Sequence, residues 1–338
     1  MNIVIIGGGF CGSLCARKLE KKFNVTLIDT TEYFEFTPSV PNALCDSTYG
    51  DKIQVLHKNY LKYAKVIISK VDYIGDEYVR IKGREIPYDY LIISTGSSYN
   101  LPFKSSSVST VSRSEDLLKI YKKIEKAGDI LVIGGGVVGV EVAAELAINT
   151  NKKITLVHPH DRLMQRYPEK VSEYAMNFLK KRKCRVILNN YVKKNRKNSF
   201  ITEDGNSINA DLALLCTGIT PNFNFGSKFI SNKKGFLIVN ENLKVSNRVY
   251  AGGDIINTKE EKTAQNAREH AKVICKNIIK EIKGKSLLKY QGRNSPMVIS
   301  LGPKCGIFFF KKFILTGLIP GFMKKLIEKR FIFDYKYF

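Results

Sequence analysis

The chain has no tryptophan and only four histidines in 338 residues, and its 31 acidic residues are outnumbered by 55 basic ones. Its seven cysteines, at 11, 15, 45, 184, 216, 275 and 305, are scattered, with no C-x-x-C between them. That scatter indicates neither a metal site nor a redox pair, and an odd count without framework spacing fits a reducing cytosol. Cys11 and Cys15 lie one helical turn apart and read as small packing residues. No apolar run reaches the roughly 20 residues a spanning helix needs. The chain enters its first predicted strand at Asn2-Ile3, so no signal peptide is expected.

What is present in excess is positive charge, a formal net of +24. Such a surface favours anionic partners, whether nucleic acid, acidic headgroups or phosphorylated cofactors. A lysine-rich proteome of solvated basic faces accounts for part of the excess. Lys180-Lys181-Arg182-Lys183 ends a predicted helix, where cations complement the dipole, and Lys193-Lys194-Asn195-Arg196-Lys197 reads as a turn. Neither stretch carries aromatics at stacking intervals, so no nucleic-acid partner is expected. The length and 44% hydrophobic content allow two or three domains with sizeable cores.

Glycine is patterned, and the pattern occurs twice. Ile3-Val4-Ile5-Ile6 runs into Gly7-Gly8-Gly9-Phe10-Cys11-Gly12, and Ile130-Leu131-Val132-Ile133 runs into Gly134-Gly135-Gly136-Val137-Val138-Gly139, 127 residues later. Both fit G-x-G-x-x-G between strand and helix. The first glycine makes the tight turn, the second lets backbone approach a pyrophosphate, and the third lets helix pack on strand. The helix N-terminus presents free N–H groups to the anion. Two copies suggest two dinucleotides held at once, and the chemistry that needs two is electron transfer.

The first copy opens a helix of about residues 10–22 and a strand Val25–Ile28 ending in Asp29, where a carboxylate would accept hydrogen bonds from a ribose 2′-OH. Residues 34–41 look irregular; strands follow near Val66–Ser69 and Tyr78–Ile81, then Tyr88–Ser94 runs into Thr95-Gly96. A second module begins near Val108 with a helix at Glu115–Lys126. After its fingerprint come a helix Val138–Ile148, a strand Lys153–Val157, a helix of about Pro168–Arg182, a strand Arg185–Leu188 and a hairpin near Phe200–Ile208. Leu212–Cys216 then leads to a second Thr-Gly turn, Thr217-Gly218. Arg248–Gly253 ends in Asp254, and a helix of about Glu261–Glu281 follows. This alternation predicts parallel α/β sheets.

The paired fingerprints, two Thr-Gly turns and late Gly-Asp, in this order, resemble the two-dinucleotide-binding-domain flavoproteins. Phe36-Thr37-Pro38-Ser39-Val40-Pro41 and Gly139-Val140-Glu141-x-Ala143-Ala144-Glu145-Leu146 are similar to type II NADH:quinone oxidoreductases. The short length, and Ser300-Leu301-Gly302 leading into a hydrophobic basic tail, most resemble the ferroptosis-suppressor (apoptosis-inducing-factor-like) quinone reductase branch. The resemblance implies two Rossmann-like domains, with an NAD(P)H domain (108–221) inserted into an FAD domain (1–107 and 222–295), then a C-terminal segment (296–338).

It further implies that Gly7, Gly9 and Gly12, with Phe10, line the FAD pyrophosphate, with Asp29 on the adenosine ribose. Asp254, after Gly253, would reach the ribityl–pyrophosphate region; Thr37-Pro38 and the turns Thr95-Gly96 and Thr217-Gly218 would line the cofactors. Thr263-Ala264-Gln265 would start the helix beneath the flavin, beside a quinone. Gly134, Gly136, Val138 and Gly139 would hold NADH or NADPH, and Glu141 would position the nicotinamide, unless it merely complements its helix dipole. His158 stands where an NADH-selective enzyme often carries an acid, with Arg162 nearby to attract a 2′-phosphate, so relaxed NADH/NADPH choice is expected. Arg268 replaces the glutamine of the usual Ala-Gln-x-x-Gln. Cys45 lacks a C-x₄-C partner, so dithiol chemistry is not expected.

The tail, 305–338, mixes aromatic and aliphatic residues with Lys311, Lys312, Lys324, Lys325, Lys329 and Arg330. It suits a segment lying in a membrane interface, apolar groups in the acyl boundary and cations at the headgroups. The alternatives are a strand–helix cap completing the core and a contact in a homodimer. The resemblance puts Lys329 and Phe333 near the quinone passage. Together these readings predict an FAD-dependent NAD(P)H:quinone oxidoreductase, peripherally bound at the cytoplasmic face of a membrane and not pumping ions. Rivals are a reductase of a small acidic redox protein, a sulfide:quinone-type reductase and an NADH-responsive flavin-binding scaffold.

Overall fold

The computed structural model describes residues 1–337, except 100–106, 111–116, 197, 224, 230, 293 and 294. Two parallel sheets dominate it. The first joins β1 (Asn2–Ile6), β2 (Asn24–Asp29), β3 (Lys65–Ile68) and β4 (Tyr90–Ile93), with β1 paired in parallel to both β2 and β4. The second joins β5 (Val108–Thr110), β6 (Asp129–Ile133), β7 (Lys153–Val157), β8 (Arg185–Ile187) and β9 (Leu212–Leu215) in the order β5-β9-β6-β7-β8. The chain then returns to the first sheet through β10 (Lys244–Ser246) and β11 (Val249–Ala251), the latter parallel to β4. The central strands are Ile-, Leu- and Val-rich and buried on both faces, as sheets covered by crossover helices must be.

Each fingerprint opens a helix. These are α1 (Phe10–Leu19) in the first module and, beyond α2 (Leu117–Lys126), α3 (Val137–Asn149) in the second; α4 (Glu169–Lys181) follows. α1 packs on the long α5 (Ala264–Ile282), where the Cys15 thiol points at the Ala271 carbonyl at 3.8 Å. All seven cysteines are free thiols.

Several local expectations are corrected. The stretch from residue 34 is not irregular: Tyr33–Glu35 pairs with Gln54–Leu56, Thr37–Ser39 forms a 3₁₀ turn, and Val40–Ala43 a helical turn. The basic run at Lys193 is a strand rather than a turn: Val192–Arg196 pairs with Ser199–Thr202, making the predicted hairpin three-stranded. Phe200 in its middle is fully buried, which holds that small sheet to the module. Lys197 and the first residues of the helix expected at Glu115 lie outside the described residues.

The tail has the strand–helix form expected of a cap that completes the core. β12 (Met297–Ser300), β13 (Gly306–Phe310) and β14 (Phe313–Gly317) form an antiparallel sheet, followed by the 20-residue α6 (Leu318–Tyr337). One face of α6 docks through Lys324, Glu328, Phe331 and Tyr335, at helical spacings of three and four. The Tyr335 ring is fully buried, stacked on Phe34 at 4.2 Å, and its hydroxyl meets Ser13 Oγ at 2.8 Å. The tail therefore completes the core. No helix among the described residues is long and apolar enough to cross a membrane.

Tyr335→Ala should destabilise the whole protein by about 3–5 kcal/mol, the cost of emptying a large aromatic site. Tyr335→Phe should lose only about 1 kcal/mol, the hydroxyl contact to Ser13. Chemical denaturation of both variants measures the difference, and equal midpoints would show that the tail is not part of the core.

Candidate active site

The two glycine turns are built by the same close approaches. Gly7 has φ +93° and Gly134 φ +108°, conformations in which an L side chain is strained. A Cβ on Gly12 would collide with the Gly7 carbonyl, and one on Gly139 with the Gly134 carbonyl. Both third glycines are thus required by packing. At Gly136 a Cβ would meet nothing within 4 Å. That open side lies at the N-terminus of α3, whose N-cap has no side-chain partner, as at Gly9 for α1. Both helix ends offer free N–H groups, so the cradles fit an anionic pyrophosphate.

Behind each turn, a side chain from the end of the second strand holds the middle glycine. Asp29 Oδ2 accepts the Gly8 N–H at 2.9 Å and lies 3.2 Å from His57 Nε2, while Oδ1 accepts the Thr30 N–H at 2.7 Å. His158 occupies the equivalent place in the second module. Its Nδ1 accepts the Gly135 N–H at 3.0 Å, so Nε2 carries the proton and donates to Gln165 Oε1 at 3.0 Å. Burial pulls the imidazole below its ordinary range and keeps it neutral. It immediately follows β7 and serves there as a structural acceptor. Arg162 is not turned outward: its guanidinium donates to the carbonyls of Gln165 and Tyr167 and to the Ser172 hydroxyl.

A third imidazole repeats this device. The Gly253 N–H donates to His270 Nδ1 at 3.0 Å, and His270 Nε2 lies 2.7 Å from Glu260 Oε1. Gly253 takes φ +80° and aims the chain into Asp254, which accepts from the Ser97 hydroxyl at 3.1 Å. Thr95 and Gly96 lie just before Ser97; Gly96 and Gly218 both have positive φ and no atom within 4 Å of a built Cβ. Thr217 lies against the Gly134 turn. Thr263 caps α5 by accepting the Asn266 N–H, Ala264 opens the helix, and Gln265 is exposed. One turn on, the Arg268 guanidinium lies 4.3 Å from the Phe331 ring centre. That ring contacts Phe10 at 5.4 Å and Phe36 at 5.1 Å, beside exposed Thr37 and half-buried Pro38.

Glu141 is the point where the modules and tail meet. It lies beyond the first turn of α3, so the helix-dipole role does not describe it. Its Oε1 accepts the Lys324 ammonium at 2.8 Å and the Ser300 N–H at 2.9 Å. The structure thus sets Lys324 against Glu141; Lys329, expected near a quinone passage, is exposed and Phe333 is half exposed on the outer face of α6. One turn along α3, Glu145 accepts from Asn149 at 2.8 Å and lies 3.4 Å from the Ser300 hydroxyl. Glu328, one turn beyond Lys324, accepts from the hydroxyls of Ser39 and Tyr49. Sequence reasoning missed Lys324, Glu145, Glu328, His57 and His270. The available signal was the pair of glutamates four residues apart on an otherwise apolar helix, which demands a cation.

Burial, then the charge of Glu145, pushes the Cys45 thiol up to about 12.

The pyridine nucleotide-disulphide oxidoreductase model matches residues 1–271. The chain belongs to that family. It is 32% identical to the apoptosis-inducing factor homolog B of Dictyostelium discoideum over 99% of this chain and 95% of that one. It is 32% identical to the ferroptosis suppressor protein 1 of Xenopus tropicalis over 91% and 88% of the two chains. In fold it is similar to NDH2 from Plasmodium falciparum in complex with NADH (TM-score 0.89, 19% identity, 99% and 96% covered). It is also similar to the sulfide:quinone oxidoreductase of Aquifex aeolicus (TM-score 0.86, 21% identity, 99% and 91% covered). The protein is an FAD-dependent pyridine-nucleotide oxidoreductase with two Rossmann-like domains.

Lys324→Ala leaves the buried Glu141 carboxylate without its cation and should cost about 3 kcal/mol. Combined with Glu141→Gln, the loss should be less than the sum of the singles, with a coupling of at least about 1 kcal/mol. Urea denaturation of the four proteins checks this, and strict additivity would show that the ion pair does not form.

Proposed function

We propose that the protein is an NAD(P)H:quinone oxidoreductase whose tail brings it to a lipid surface. The observation that carries this reading is α6. Its inner face joins Glu141 of the second module and the aromatic cluster at the first glycine turn. Its outer face exposes Leu318, Ile319, Phe322, Leu326 and Phe333, each at least half exposed. Exposed Lys311, Lys312, Lys325, Lys329 and Arg330 flank that apolar stripe. A monomer rarely leaves such a face without a use, and apolar groups ringed by cations suit an anionic membrane surface. A lipid-dissolved acceptor would then meet the protein beside Arg268 and Phe331.

In this reading Gly7, Gly9, Phe10 and Gly12 hold the FAD pyrophosphate, with Asp29 at the ribose end and Asp254 at the ribityl end. Gly134, Gly136, Val138 and Gly139 hold the NAD(P)H pyrophosphate. When bound, FAD supplies an acceptor for the hydride of NAD(P)H and a two-electron donor to quinone. The chain's own work is orientation and exclusion of water. Glu141, fixed by Lys324 and Ser300, fixes the nicotinamide side, and Thr37, Pro38, Thr263 and Ala264 bound the flavin side. Nothing in this scheme moves an ion across a membrane.

Steady-state NADH oxidation should be supported by a soluble ubiquinone or menaquinone analogue. Flavin that NADH reduces but no quinone reoxidises would defeat the assignment. With a neutral His158 and an internally bonded Arg162, no acid repels a 2′-phosphate and no free arginine grips it. The kcat/KM values for NADH and NADPH should therefore differ by less than about a hundredfold, about 2.7 kcal/mol of discrimination; a larger NADH preference would refute this.

Membrane binding is best tested on the exposed face, because deleting the tail would also remove Tyr335 from the core. Phe322→Glu/Leu326→Glu should fold normally, since both side chains are exposed, and should cut co-flotation with anionic vesicles at least tenfold. Undiminished flotation would reject the lipid-facing role.

A further inference from the structure

Two carboxylates and one ammonium are buried together where α3, β12 and α6 meet. Glu141 and Glu145 are adjacent on one face of α3, and their residues are 4% and 3% exposed. The cation reaching them is Lys324, bonded to Glu141. The donors to Glu145 are neutral, the Asn149 amide and the Ser300 hydroxyl. Full ionisation would leave a net negative charge around two buried carboxylates, and burial disfavours that state steeply.

We propose that Glu141, Glu145 and Lys324 hold one buried proton in common, carried by the Glu145 carboxyl, and that Glu145 thereby positions Lys324 on Glu141. With Glu145 neutral, the ammonium faces a single carboxylate and the pair is matched in charge. With Glu145 ionised, two carboxylates divide one ammonium, and a negative charge is added to the helix whose N-terminus is assigned to the NAD(P)H pyrophosphate. That last consequence rests on the functional reading above; the shared proton does not.

The geometry sets where ionisation falls. Burial, then the charge of Glu141, raises the Glu145 carboxyl to about 7, partly offset by Ser300, Asn149 and Lys324. Cys45 and Tyr49 of the first module also sense Glu145, and burial is the largest cause raising both. Both stay protonated through the neutral range, so they do not mask the transition. A group whose folded-state affinity for its proton is raised contributes stability that is lost as pH climbs from its unfolded value through its folded one.

The test uses the full-length holoprotein with ¹³C-labelled glutamate carboxyls. One carboxyl resonance, absent in Glu145→Gln, should titrate near pH 7, well above the ordinary glutamate value of about 4.3. The melting temperature of the wild type should fall relative to Glu145→Gln between pH 5 and pH 7, then run parallel to it above pH 8. The KM for NADH, read with ferricyanide as acceptor, should rise at least twofold from pH 6.5 to 8.5 in the wild type and stay flat in Glu145→Gln. A resonance titrating between pH 4 and 5, or a melting difference independent of pH, overturns the proposal. Should Glu145→Gln not fold, Glu141→Gln serves instead: removing the neighbouring charge should move the Glu145 transition down by at least one pH unit, and an unmoved transition overturns the shared proton. A protein that shows the titration yet reduces no quinone would refute the functional reading and leave this one standing.

Discussion

At each of the two glycine fingerprints, backbone meets backbone with no room for a single carbon atom between. Gly12 lies on the Gly7 carbonyl and Gly139 on the Gly134 carbonyl. These contacts pull the first helix of each module against its first strand, and so fix where the helix N-terminus points. The carbonyls of Ser94 and Cys216, at the ends of the neighbouring strands, close on Gly7 and Gly134 in turn. Strand order and helix direction are thereby linked at each crevice above the sheet, where an open α/β fold binds its ligands. Both candidate pyrophosphate cradles depend on that linkage, because free N–H groups serve an anion only if they face it.

The two turns diverge in what stands behind them, and the divergence is chemical rather than geometric. Asp29 and His158 do one job, accepting the N–H of the middle glycine. Asp29 accepts through both of its oxygens, from Gly8 and Thr30, whereas the imidazole spends one nitrogen on Gly135 and the other on Gln165. The second cradle therefore sets an imidazole where the first sets a carboxylate in contact with His57.

Fingerprints, strands and most helices were legible in the sequence because their determinants are local. Glycine spacing, apolar runs and the acid ending β2 all lie within one βαβ unit. Thr37–Ser39 and Val192–Arg196 were misjudged where short elements carry no period long enough to read. The tail was harder for another reason: α6 is apolar on both faces, one turned to the core and one to solvent, so no single stripe announces a helix. Lys324 was missed because its partner is 183 residues away. The tail carries seven basic residues, and only the docking of Phe331 and Tyr335 selects the helical face that carries Lys324 inward.

That docking explains why one segment can serve both core and surface. Tyr335 and Phe331 join the aromatic cluster of Phe10, Phe34 and Phe36, so the end of α6 is fixed by packing that the fold itself requires. The middle of α6 is fixed by two polar anchors in different modules, Lys324 on Glu141 and Glu328 on Ser39 and Tyr49. A helix held at three places along its inner face cannot rotate, so its outer face is presented in one orientation. The outer face of α6 and the Glu141 carboxylate are then parts of one rigid body. Any force that shifted α6 at the surface would act directly on the Lys324–Glu141 bond.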